Sequence, residues 1–487
     1  GYVYMSPGKG KEKYDLYVNT RNLNVGKILR QDSVMGTITA VITARGQSFD
    51  INSMNTVFSG KIQQAMLMGY NYSTISFDGK MAQKAGELSL TSNDPNAILQ
   101  LQATADLTQK DPAVNAILNI DSADLQALKL YKDELRVRAA ITANMPKVNA
   151  DYPEGDIIIN KPTIAMSGQR YFLDSLYISS KPTADSGQNI IVNADAVYAL
   201  ITGQTPLSQI GNVIQDHIGR HYKISSDTTK VSPPADYNLN IVATVQDRPL
   251  LHVFMPTLES MDTIRINAGV TPRNLFLDVN APQVSLAGTR IDSAKANVNG
   301  TDSALTYNVT VAKVDHPQIQ LWYTNVNGNL NGNTITANVS IADSAKKERF
   351  ALNANLQQEA NEQVLQLGNG LVLNYKTWQV SQPNKIVFGP QGFYAQNLSI
   401  SNGNEAISVT SEQPQFSAPL NVNIRNFFLS NITEIVQKDT LLANGMLNTQ
   451  LQVRNISTAP EASGTLQIED LSIFADTIGN LDVTLKD

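Results

Sequence analysis

The chain has 487 residues and a net charge of −6, and only 16% of its residues are charged, against about 25% in an average globular protein. So weak a charge, with no Lys/Arg cluster, argues against nucleic acid as a partner. The absence of cysteine excludes disulfides, thiolate metal sites and cysteine nucleophiles.

Asn, Thr, Ser and Gln fill the charge deficit, while apolar residues stay at 42%. Uncharged polar residues alternating with Val, Ile and Leu suit sheets with one wet and one dry face. No run approaches the ~18 apolar residues of a membrane-spanning helix, and no signal peptide opens the chain. Gly1-Tyr2-Val3-Tyr4 reads as the inside of a strand, and the chain stops within Leu481-Asp482-Val483-Thr484-Leu485. The expectation is an internal fragment whose anchoring segments lie elsewhere.

Lys11-Glu12-Lys13 reads as a charged turn. Leu16 and Val18 then open a unit of strand, short apolar helix and strand: Asn22 to Leu29 supply the helix, and Ile38 to Ile42 follow Gly36 with a two-residue period. Ile75-Ser76-Phe77-Asp78-Gly79-Lys80 predicts a strand closed by an Asp-Gly turn. Leu88-Ser89-Leu90 leads into the turn Asn93-Asp94-Pro95-Asn96, and Ile98, Leu99, Leu101, Ala103 and Ala105 return as a strand. A looser copy of the opening unit spans Ile117 to Ile141, with Asp124 to Leu128 as its helix. Tyr171 to Ile178 and Asn189 to Ala194 read as paired strands. Pro206 opens a helix over Gln209 to His221 with Ile210, Val213, Ile214, His217 and Ile218 on one face. Lys223 to Ala235 is linker-like and sets a boundary between a first segment, 1–235, and a strand-rich second segment, 236–487, continuous with it.

From Tyr237 to Leu356 the pattern is almost purely strand and turn. Leu239, Ile241, Ala243 and Val245 share one parity. So do Leu305, Tyr307, Val309 and Val311; Ile319, Leu321 and Tyr323; Ile335, Ala337, Val339 and Ile341; and Phe350, Leu352, Ala354 and Leu356. Asn299-Gly300, Asn327-Gly328 and Asn331-Gly332 read as the turns between them. Asn421 to Asn455 repeats the opening unit: Val422 and Ile424 on a strand, Phe427, Phe428, Ile432, Ile435 and Val436 at helical spacing, Gly445, then Leu447, Leu451 and Val453. Recurrence of one supersecondary unit marks a quasi-linear, stacked architecture. On pattern alone, the alternative to a one-sided sheet is a sandwich core.

Leu365 to Asn402 carries a resemblance. Gly370 to Val380 (GLVLNYKTWQV), followed by Asn384 to Phe388 (NKIVF), resembles a segment of the TamB-like translocation/assembly module proteins of the AsmA-like superfamily, the Bacteroidota versions above all. Tyr171 to Ile178, Ala194 to Gly203 with the helix after Pro206, and Asn426 to Ser430 followed by Gly445 match that family's texture. The resemblance implies a mainly β fold: an elongated, curved antiparallel trough, an open groove with an apolar interior and a few short amphipathic helices. It implies a periplasmic bridge, anchored in the inner membrane outside this fragment, that pairs with outer-membrane barrels of the BamA superfamily. It implies a role in moving phospholipid to the outer membrane or in assembling outer-membrane proteins.

No residue pattern indicates catalysis or a cofactor. His217 and His221 stand at i and i+4, but Ile218 occupies the place of the metalloprotease glutamate and no third ligand is indicated. The expectation there is surface histidines near a helix end. Gly328 to Gly332 and Gly368 to Gly370 lack the Lys-Ser/Thr of a phosphate loop and read as turns. Trp322, Tyr323 and Trp378 read as sheet packing. The expected function is a conduit for phospholipid acyl chains lined by apolar stripes: Leu239, Ile241, Val245, Leu305, Tyr307, Val309, Val311, Ile319, Leu321, Tyr323, Ile335, Val339, Ile341, Leu352, Leu356, Leu371, Leu373, Val422, Ile424, Leu451 and Val453. The competing expectations are an assembly factor that pairs with nascent outer-membrane strands and a glycan-binding solenoid or sandwich.

Overall fold

The computed structural model describes residues 1–6, 12–222, 236–435, 442–455, 459–474 and 476–486. The predicted linker 223–235, Lys11 of the predicted charged turn and Val436 lie outside the described residues. The fold is mainly β, and its antiparallel ladders are open rather than closed into a barrel. It divides into one unit of residues 1–208 with 248–254 and a second of 209–247 with 255–487.

In the first unit, Tyr2–Ser6, Lys13–Asn24, Met35–Gln47, Asn55–Leu67, Tyr70–Ala82, Ala85–Asp94, Ala97–Asp106, Ala113–Asp124, Arg136–Lys147 and Glu154–Met166 each pair antiparallel with the strand before. Leu176–Pro182, Gln188–Asn193 and Val197–Gly203 continue the ladder. The predicted Asp-Gly turn is absent: the strand runs through Gly79 to Ala82. A Cβ on Gly79 would stand 2.6 Å from Phe58 Cζ, so this glycine gives room to a neighbouring ring, a common role inside a strand. The first short helix forms as expected, α1 over Val25–Leu29, with the Asn24 side chain accepting from the Lys27 amide. The looser copy forms no helix. Asp124 instead accepts from the Ala127 amide at 2.9 Å and closes a turn that buries Leu128.

In the second unit, Leu239–Val245 pairs with Ile264–Val270. Leu275–Leu286, Thr289–Gly300, Leu305–Asp315, Gln320–Asn331, Thr334–Ala342 and Glu348–Glu359 follow as a meander. There the ladder forks. One half of Glu348–Glu359 pairs with Glu362–Leu367, and the other meets Leu371–Leu373. The second branch runs through Lys376–Val380, Leu398–Asn402, Glu405–Ser411, Leu420–Phe428, Ala443–Arg454, Glu461–Ile473 and Asp476–Leu485. Leu371, Trp378, Val380 and Phe427 fill the fork as a closed core.

α2 (Ile210–His221) follows a single 3-10 turn, Leu207–Gln209. The sequence assigns it to the first segment, but it packs within the second unit. His217 lies against Gly300, where a Cβ would collide with its ring, and the His221 carbonyl accepts from the Asn333 amide at 3.0 Å. α3 spans Pro249–Phe254 and α4 only Ser430–Thr433. Phe427 and Phe428, expected at helical spacing, end the strand Leu420–Phe428 instead. Asn426 takes φ 50° there, and the register shifts between Ile424 and Phe427, so a bulge imitates the break in period that a helix start would give.

Candidate functional site

Residues directly opposite each other in a ladder share a face, so the registers trace rows across the strands. In the second unit one row reads Leu239, Val270, Leu275, Gly300, Leu305, Leu330, Ile335, Leu356, Leu365 and Ile386. The next reads Ile241, Ala268, Leu277, Val298, Tyr307, Gly328, Ala337, Ala354 and Leu367, and a third Ala243, Ile266, Val279, Ala296, Val309, Val326, Val339 and Leu352. Every member is apolar or glycine except Tyr307. Its hydroxyl donates to the Thr336 carbonyl at 3.0 Å, and burial pushes its pKa up.

The opposite face is polar. Between those rows runs Asn267, Asp278, Asn297, Asn308, Asn327, Asn338 and Asn353. The Asn297 side-chain amide donates to Asp278 at 2.7 Å, and that of Asn338 donates to Asn327 Oδ1 at 3.1 Å. The side-chain bonds of this amide ladder link neighbouring strands across the wet face, with Asp278 the one charged member of the row.

Leu239, Val270, Leu275 and Leu305 of the first row are buried, but most of the rest of the apolar face is only half-buried. Val309 and Leu352 are each 37% exposed, whereas side chains between two packed sheets are enclosed. At one end of the first row the cover is α2: Val213 and His217 are fully buried, and His221 nearly so. The expectation of surface histidines is therefore corrected. The two rings make an edge contact at 5.7 Å, and both His217 ring nitrogens lack hydrogen-bond partners. Burial, then the charge of Arg220 and the neighbouring His221, pushes the His217 pKa down. Among the described residues no group of three or more His, Asp or Glu is placed to hold a metal.

The expected lining residues fall into distinct groups. Leu239, Ile241, Leu305, Tyr307, Val309, Ile335, Val339, Leu352 and Leu356 lie on the shared rows. Val245, Val311 and Ile341 extend them, opposite Ile264, Thr324 and Phe350. Leu371 is closed into the core at the fork, with Leu373 and Ile424 packed against it. Val422 and Leu451 stand opposite each other in a second stripe with Val409, and Val453 stands opposite Leu420. Leu321 stands opposite Val314 in a separate apolar row with Ile291, Val284 and Met261, and Ile319 and Tyr323 lie on none of these rows. Tyr323 takes φ 42°, and the register shifts between Trp322 and Asn325. Past that bulge the apolar row of this strand is Val326, Gly328 and Leu330, the opposite parity from the one expected.

The sequence reading missed the first unit's stripe. One row there runs Val18, Ile42, Gly60, Phe77, Leu90, Leu101, Leu118, Ile141, Ile159 and Leu176. Its neighbour runs Leu16, Ala44, Phe58, Gly79, Leu88, Ala103, Ala116, Ala143, Ile157 and Ile178. Gly79, between Phe58 and Leu88, and Ala103, Ala116 and Ala143, beyond Leu88, lower the floor, and an open groove of about 740 Å³ follows them. The available signal was alanine and glycine at the same parity as the leucines. No family model, curated protein or solved structure matches the chain.

Proposed function

We propose that the half-exposed apolar stripes bind the acyl chains of phospholipid and let them move along the sheet. The observation that carries this reading is the continuity of the rows, apolar across strand after strand, with members such as Val309 and Leu352 still 37% exposed. Each methylene leaving water contributes about 0.8 kcal/mol, so a continuous strip holds a chain without a specific pocket and lets it slide. Headgroups need no cradle, because they remain in water at the strand ends. The resemblance of Gly370 to Val380 to the TamB-like proteins agrees with the same reading, and with a place in the periplasm of a Gram-negative envelope, linked to an inner-membrane anchor and a BamA-superfamily barrel. No catalytic role is proposed.

Lipid extraction and mass spectrometry of the purified chain test it. Phospholipid should co-purify, and Val339→Glu should cut its amount several-fold while circular dichroism stays that of the parent, because a lone carboxylate on the stripe is costly only where a chain must pass. Loss of fold in Val339→Glu, or a parent free of lipid that takes up none from vesicles, would contradict the proposal.

A further inference from the structure

The first unit's apolar face is partly roofed at one place. Ala139, Ile141 and Ile159 form a floor, and Leu250, Leu251 and Phe254 of α3 line the facing side of a half-open cleft of about 350 Å³. The only polar side chains in its lining with a charge are those of Asp174 and Asp195. Arg248, at the foot of α3, donates from Nε to the Asp195 carbonyl at 3.3 Å and stands 3.9 Å from that carboxylate. Asp174 is exposed.

We propose that this cleft binds a single straight alkyl chain of about a dozen carbons, with its polar end at the mouth beside Asp174. A methylene needs about the room of a water molecule, roughly 30 Å³, so the volume of the cleft matches one such chain. The lining is almost wholly apolar, so each methylene that leaves water there contributes favourably. The carboxylate at the mouth disfavours an anionic end and accepts a hydroxyl. The proposal rests on the acyl-chain reading and narrows it, since one stretch of the face matches one chain rather than a whole diacyl lipid.

Fluorescence quenching tests it. The chain's tryptophans, Trp322 and Trp378, both belong to the second unit, and the quenching of the parent chain is subtracted as background. The indole introduced by Phe254→Trp should be quenched saturably by 12-bromododecanol, and more weakly by the corresponding bromododecanoate. Ala139→Leu, or Ala196→Phe if that variant fails to fold by circular dichroism, should weaken the quenching at least tenfold by filling the space. A separate Leu88→Trp variant, probed with brominated phospholipid, reports the open groove. Quenching at Leu88→Trp with none at Phe254→Trp would overturn the compartment and leave the groove reading standing. Quenching at Phe254→Trp that survives both filling variants would also overturn it. Saturable, filling-sensitive quenching at Phe254→Trp with none at Leu88→Trp would support the compartment and remove the open groove.

Discussion

Single residues decide where the ladder bends and where it is pinned. Asp94 is fully buried, yet it is surrounded by donors. Tyr70 donates to Oδ1 at 2.7 Å, the Asn96 amide to Oδ1 at 2.8 Å, and the Ser73 amide to Oδ2 at 2.8 Å. Burial alone would raise its pKa, but these hydrogen bonds outweigh burial and hold it below the ordinary 3.8. The carboxylate's contribution is therefore complete above that value and fades as pH falls through the depressed one. Asp94→Ala should cost about 3 kcal/mol, because it strands several buried donors at once. It should also flatten the acid limb of the stability curve. Urea melts of parent and variant across the acid range check both; a loss below about 0.5 kcal/mol would leave only a surface role.

Among the elements, α2 binds the end of the stripe through histidines that the sequence places on a surface. His217 is held neutral by burial, with Arg220 and His221 acting in the same direction and Asp216 and Asp302 against. A base with a depressed folded pKa gives stability that is complete above its unfolded value of 6.5 and is lost as pH falls below it. Acidification through that window should destabilise the second unit by up to about 1.4 kcal/mol per pH unit per proton taken up. His217→Leu should remove that slope, as read from denaturant midpoints between about pH 5 and 8. An unchanged slope would place the titration elsewhere. The same elements show what the sequence could and could not tell. Alternation exposed the strands and the rows from Leu239 to Leu356, because a two-residue period on a one-sided sheet has no other use. It failed where φ turned positive, at Tyr323 and Asn426, since a bulge resets parity without any change in composition. Asp78-Gly79 and Asn327-Gly328 imitate turns, yet sit inside strands where a neighbour crowds the glycine. The roof that α3 makes over Ala139 joins residues far apart in sequence, and no local pattern records it.

For the molecule as a whole, the central claim is that acyl chains follow one face of the sheet. The strand Leu305–Asp315 offers an internal contrast, because Tyr307, Val309 and Val311 point to the apolar rows and Thr306, Asn308 and Thr310 to the amide ladder. Neighbouring positions share expression, fold and mobility, so only facing differs. A photo-crosslinking residue at 307, 309 or 311 should capture phospholipid in cells, and the same residue at 306, 308 or 310 should not. Equal capture from both sets, or cross-links from the odd set that reach only protein, would contradict the account.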